Sequence, residues 1–283
     1  MSLHLLIQYV VGLREAQSRK IPGGTFHDSD MAEGVGDGDA HAVAAAHEAA
    51  WRRFENVLAE LVAELPLLRR PVAGDCPLRG PVAARMWRAC QPFRERFVTP
   101  MAAVAGSVAE EIVAFYRGEG VERAWVNNGG DIALHLQPGR SVAIGLFADL
   151  SQLEVAAAAG SRVDARHFVD GRFEIRHAMP VRGVATSGWR GRSFSLGIAD
   201  SVTVLASTAS QASAAATIVA NAVNLDDPRI RRQPACEAGR SSPPSVRRGP
   251  RSMFATPSRR ESASRPTARL SARTIAASRA SRS

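Results

Sequence analysis

Lysine is almost missing from this chain. Lys20 is the only one among 283 residues, so the basic side chains are otherwise all arginine. Phosphate sites built on a P-loop lysine are therefore excluded. Cysteine is scarce as well: Cys76, Cys90 and Cys236 are odd in number, scattered and without CxxC spacing. A disulfide framework and thiolate metal clusters are excluded by that pattern, which fits free thiols in a reducing compartment. Long apolar runs are also lacking. Leu3–Leu13 is interrupted by His4 and Gln8 and is followed by no small-residue cleavage site, and nothing approaches the roughly 18 apolar residues of a membrane span. The expectation is a cytoplasmic protein with no membrane partner.

The formal net charge is +9, and its placement decides what it means. From Cys236 onward there are 11 arginines against Glu237 and Glu261 alone, which leaves 25 basic and 25 acidic side chains in the preceding 235 residues. The body is neutral. The segment 236–283 combines high charge with little apolar content and is expected to be disordered, because it cannot bury enough surface to offset the entropy of ordering. A nucleic-acid arm is disfavoured, since only Phe254 could stack on a base and no lysine accompanies the arginines. A shifted reading frame of a GC-rich gene yields such a composition, and the tail is read that way.

The rest divides into an irregular N-terminal segment, 1–39, and one domain over 40–235. His27-Asp28-Ser29-Asp30 and Asp37-Gly38-Asp39 lack the alternating acids and closing glutamate of a calcium loop and read as solvated loop. Apolar residues from Val43 to Leu65 recur at helical spacing, predicting a helix His41–Leu65 stopped by Pro66. A second helix is expected over Val82–Cys90. A third is expected over Pro100–Tyr116, with Thr99 as its N-cap and Gly118 and Gly120 beyond its end. The small residues opening that third helix let a neighbouring backbone, or a flat ligand, approach closely.

Val121–Leu136 reads as two strands around Asn127-Asn128-Gly129-Gly130, with Asp131 directly after the glycines. Bare backbone beside a carboxylate can grip a polar ligand edge. Ser141–Phe147 is a further strand, whereas His135, His167 and His177 share no ligand spacing. Gly183–Asn224 is the densest stretch. A small-residue turn, Ala185-Thr186-Ser187-Gly188, is followed by an alternating strand Ser201–Leu205, N-cap candidates Ser207–Ser210 and an alanine-rich helix Gln211–Val223. Turn, strand, cap and helix in succession suit a small-molecule site at a helix start. The fold class expected from all of this is α+β, an antiparallel sheet flanked by helices.

Val126-Asn-Asn-Gly-Gly-Asp-Ile132 resembles the Asn-x-Gly-Gly-Asp hairpin of the ApbE-like flavin transferases, and Ala185-Thr-Ser-Gly188 their Thr-Ser-Gly turn. Pro100-Met-Ala-Ala-Val-Ala-Gly106, Gly197-Ile-Ala-Asp200 and Ala220-Asn-Ala-Val223 are similar to segments of uncharacterised protein family 0280, a cytoplasmic branch of that superfamily. The resemblance covers about 40–235 and implies an ApbE-like domain. It also implies that Asn127, Gly129, Gly130 and Asp131 line a nucleotide site, that Thr186, Ser187 and Gly188 contact a flavin or its phosphates, and that FAD or FMN is the cofactor.

In the transferases an Asp and a Thr one helical turn apart hold the divalent metal. Thr217 matches the Thr as a metal ligand, but Ser213 stands where the Asp belongs. The Lys-Gly pair is Ala105-Gly106 here, and Phe194-Ser195-Leu196 lacks the expected His. A hydroxyl is a poor replacement for a carboxylate around Mg²⁺. No triad or metal cluster is present and no catalytic residue is assigned. Three functions compete: a metal-independent binder of a flavin or other nucleotide-like small molecule, a Mg²⁺-dependent FAD:protein FMN transferase, and a non-catalytic interaction protein or inactive gene product.

Overall fold

A computed structural model describes residues 32–146, 171–189, 195–228, 230, 232–234 and 255–257. The chain forms two compact units, one from the residues up to His135 together with those from Val181 on, the other from Leu136–Pro180.

The first unit is an α+β layer. Its sheet has the order β1-β2-β3-β6-β7, with β1 Ala32–Gly38, β2 Val121–Asn128, β3 Asp131–Leu136, β6 Gly183–Ser187 and β7 Val202–Ala206. Pairing is antiparallel between β1 and β2, β3 and β6, and β6 and β7. Among the described residues the longer helices that accompany it are α1 Ala40–Ala63, α2 Pro81–Cys90, α3 Val104–Val113 and α4 Ala209–Ala222. Helix α3 lies on β2, α4 lies on β6 and β7, and the two helices pack on each other. The second unit carries a two-stranded ladder, β4 Ser141–Leu146 with β5 Gly171–Arg176. Its turn at Gln137–Arg140 closes with the Arg140 amide donating to the Gln137 carbonyl at 3.0 Å.

Sequence and structure differ at instructive places. Ala32–Gly38, expected as loop, is an edge strand that pairs along β2 from Ala32 opposite Asn128 to Gly38 opposite Val121. The acids at its end are used locally. Asp37 bridges to Arg123 on β2 at 2.8 Å, and Asp39 caps α1 by accepting from the Ala42 amide at 2.9 Å. Pro66 does not end helical structure but restarts it, because proline is tolerated in a first helical turn; a single turn runs Leu65–Leu68 after Glu64 closes α1. The expected third helix opens and closes as 3-10 turns, Pro100–Ala103 and Ala114–Tyr116, and Thr99 makes no side-chain cap bond. The α4 cap falls on Thr208, whose hydroxyl accepts from the Gln211 amide. Of the segment from 236 on, only Ala255–Pro257 is described, as strand β9 paired with β8, Arg232–Pro234.

The main core joins Val43, Phe54, Val57 and Leu61 of α1, Met86 and Trp87 of α2, and Val108 and Val113 of α3 to Ala124, Val126 and Ala133 of the sheet. Beneath α4 the contact is alanine on alanine, with Ala212 and Ala216 against Ala185, Val204 and Ala206. Cys90 is fully buried, and burial pushes its thiol up to about 12, whereas Cys76 is exposed. In the native protein, a maleimide at neutral pH should modify Cys76 within minutes and spare Cys90 until denaturant is added, because the thiolate is the nucleophile. Peptide mass mapping checks this, and native labelling of Cys90 would contradict the burial.

No helix among the described residues is long and apolar enough to cross a membrane.

A candidate functional site at the α3–sheet seam

Alternation along the strands sorts the candidate residues. Asn128 and Asp131 face each other across the Gly129-Gly130 turn, where both glycines have positive φ, 65° and 100°. Two such residues are what a two-residue hairpin loop of the primed type demands. The Asn127 side chain stabilises the turn by accepting from the Gly130 amide at 3.0 Å.

Asn128 lies on the helix face with Ala124 and Val126, and its side-chain amide donates to the Ala105 carbonyl at 3.1 Å. Asp131 lies on the same face, 7% exposed. Its carboxyl is raised to about 7, first because burial disfavours the charge, while the Ser213 hydroxyl and the backbone amides of Thr186 and Gly106 donate to it and pull the other way. Gly106 is the third residue of α3. Asp131 therefore occupies the place an anion takes at a helix start.

The β3–β6 register, Ile132 opposite Val184, brings the glycine turn beside Thr186-Ser187-Gly188. Two of the sequence motifs thus meet. Their side chains part company, however. Ser187 is buried, while Thr186 is exposed and sits 2.9 Å from the Thr203 hydroxyl across the β6–β7 pair. Gly188 packs against the Asp200 backbone, where an added Cβ would come within 2.2 Å of the carbonyl oxygen. Two further family-like segments, Gly197–Asp200 and Ala220–Val223, also meet each other. The Ile198 amide donates to the Val223 carbonyl at 2.8 Å, and the Asn221 side chain accepts from the Ser195 hydroxyl and the Leu196 amide. Phe194 lies outside the described residues.

Thr217 points to the opening turn of α3. Its hydroxyl donates to the Ala102 carbonyl at 3.3 Å and the Ser213 carbonyl at 3.1 Å, and the Ser213 hydroxyl is also 3.3 Å from the Ala102 carbonyl. Ser213 has one proton for two acceptors, the Asp131 carboxyl and the Ala102 carbonyl. A resident divalent cation does not fit here. The three oxygens are neutral, the Thr217 hydroxyl proton is directed at carbonyls, and the one nearby carboxyl is already engaged by the Thr186 and Gly106 amides, whereas Mg²⁺ and Ca²⁺ favour carboxylate-rich sets. Among the described residues no three His, Cys, Asp or Glu side chains cluster as ligands.

The helix-start site expected at α4 is occupied from within the chain. Glu110 of α3 accepts from the Ser210 amide at 3.1 Å and from its hydroxyl at 2.7 Å. Glu110 belongs to a chain of ion pairs that sequence reading missed: Arg85 bridges Glu110 and Glu111, and Arg53 bridges Glu111 and Glu60. Arg53 and Glu111 are 16% and 13% exposed at their side chains. Replacing Arg53 by methionine leaves Glu111 with one partner, and urea denaturation should show a loss of about 3 kcal/mol, as for other buried pairs broken on one side. A loss under about 1 kcal/mol would mark the pair as solvent-screened.

The architecture that emerges is an α+β sheet protein with a carboxyl and a glycine turn at the seam between α3 and the strands. This chain belongs to the AbpE bacteria family, whose model matches residues 26–244. The match begins before β1 and ends inside the segment that composition assigns to the tail. The chain is 38% identical over 149 residues to a UPF0280 protein of Methanothermobacter thermautotrophicus, covering 52% of this chain and 51% of that one. It is 41% identical over 159 residues to one from Methanopyrus kandleri, covering 55% of each, and 34% identical over 173 residues to one from Methanothrix thermoacetophila, covering 60% and 65%. The chain spans about half the length of the first of these curated relatives.

Proposed function

We propose that this protein binds a flavin or another nucleotide-like small molecule, without a divalent cation, on the surface where Gly129, Gly130 and Thr186 reach solvent, with the buried Asp131, Ser187 and Gly188 holding the two turns behind it. The observation that carries the reading is the meeting of the glycine turn with the Thr-Ser-Gly turn through the β3–β6 register. Gly129 is exposed, and nothing lies within 4 Å of where a side chain on Gly130 would begin. Bare backbone is therefore open to a flat ligand at the place where the Thr186 hydroxyl is also exposed. A Mg²⁺-dependent FMN transferase is disfavoured by the neutral oxygens around Ala102.

Titrating FAD and FMN with the full chain, with and without Mg²⁺, tests this by flavin fluorescence. Saturable quenching that EDTA leaves unchanged is expected. Quenching that requires Mg²⁺ would restore the transferase reading. No quenching by folded protein would remove flavin.

A further inference from the structure

We infer that this surface recognises an uncharged hydrogen-bonding edge, such as the ring imide of a flavin, rather than a phosphate. This rests on the binding reading above and narrows it to one part of the ligand.

Helix starts attract phosphate without lysine, and the two at this seam, those of α3 and α4, are already engaged by carboxyls of the chain itself. The start of α3 holds the Asp131 carboxyl through the Gly106 amide. The start of α4 holds the Glu110 carboxylate through Ser210. Arg85, which reaches that same Glu110, is divided between Glu110 and Glu111. An incoming phosphate would have to displace a carboxyl of the chain itself, and then be met by its charge.

The groups displayed instead are neutral. The Thr186 and Thr203 hydroxyls stand side by side and exposed at 2.9 Å. The β3–β6 register brings the Gly129-Gly130 turn to the Thr186 side of this pair, with the Asn127 side chain accepting from the Gly130 amide within that turn. Among the described residues of the two turns, 127–131 and 186–189, the one ionisable side chain is acidic, Asp131. Hydroxyls and peptide groups supply donors and acceptors in alternation, which suits the N–H and C=O edge of a ring. A phosphate calls for convergent donors or cations.

Riboflavin, FMN and FAD titrated in parallel into the full chain by fluorescence quenching test this. The expected dissociation constants agree within about threefold. They should stay flat as NaCl rises from about 0.05 to about 0.5 M, and 10 mM-scale inorganic phosphate or pyrophosphate, about that concentration, should not compete. Thr186→Val, at an exposed position, should weaken all three flavins by the same factor of about five or more. FMN or FAD binding about tenfold or more tighter than riboflavin, with phosphate competing, would overturn the inference while leaving flavin binding intact. An unaltered affinity in Thr186→Val would overturn the placement. Failure of all three flavins to bind would overturn the binding reading and this inference together.

Discussion

Replacing Gly106 by alanine should cost about 3 kcal/mol, and replacing it by valine should abolish cooperative unfolding. A Cβ at this position would lie 2.2 Å from the Ala209 carbonyl oxygen, 2.7 Å from its carbon and 2.8 Å from the Ser213 Cβ. Two of those three atoms are backbone, so no rotamer change relieves them. Neither helix can retreat freely. Helix α3 is seated on β2 and α4 on β6 and β7, and Glu110 ties the start of α4 to α3. Separation would open the alanine contacts beneath α4, where a shift of a few tenths of an ångström already forfeits dispersion. Gly118→Ala is the control. Nothing lies within 4 Å of its would-be Cβ and its φ is not positive, so that change should be neutral or slightly stabilising. Thermal unfolding followed by circular dichroism separates the two. Equal transition temperatures for both variants would show that α3 and α4 do not close on Gly106.

The second large effect is on the pH dependence of stability. Burial holds the Asp131 carboxyl at about 7 in the folded protein, well above the ordinary carboxylate range that applies once the chain unfolds. The folded state thus prefers the protonated form. The stabilisation linked to this group is complete below the ordinary carboxylate range and is lost as the pH rises to about 7, after which a constant penalty of about 4 kcal/mol remains. Other carboxylates titrate too, so the quantity to follow is the unfolding free energy of the wild type minus that of Asp131→Asn. That difference should fall by roughly 3 kcal/mol between about pH 5 and pH 8 and then level off. Ser213→Ala removes a donor that favours the ionised form and should move the midpoint upward. A difference that is flat across the range would mean that Asp131 is ionised throughout.

Local pattern carried the helices and failed where partners are distant. Periodicity placed α1 and α2 to within a residue or two, strand-favouring residues on either side of the glycine pair located β2 and β3, and alternation located β7. β1 escaped because Ala-Glu-Gly-Val-Gly-Asp-Gly has one β-branched residue and four that disfavour strands; it is a strand through its pairing with β2. The same distance hid Glu110 and Arg85, which on their own helices look like solvated charge.

The site was half legible. The glycine turn and the Thr-Ser-Gly turn were visible as motifs, and the structure joins them. The direction of Asp131 was not, although it could have been. In a two-residue hairpin the residues flanking the loop share a face, so Asp131 follows Asn128, and Asn128 follows Val126 and Ala124 into the core. The small residues at the start of α3 left a backbone or a flat ligand as the two candidates. The Ala209 carbonyl is the answer at Gly106.

The pairing of β1 with β2 also sets a clock on synthesis. Gly38 ends the first strand, and the partner residues run from Val121 to Asn128. A ribosome adding about 5–20 residues per second leaves β1 waiting about 5–20 s for the far end of its partner to be made. Until residue 113 is made the apolar stripe of α1 has neither α3 nor the sheet to cover it, and β2 follows only after α3. A nascent chain arrested before residue 121 should therefore be the form most dependent on a chaperone, and one released after α4 the least.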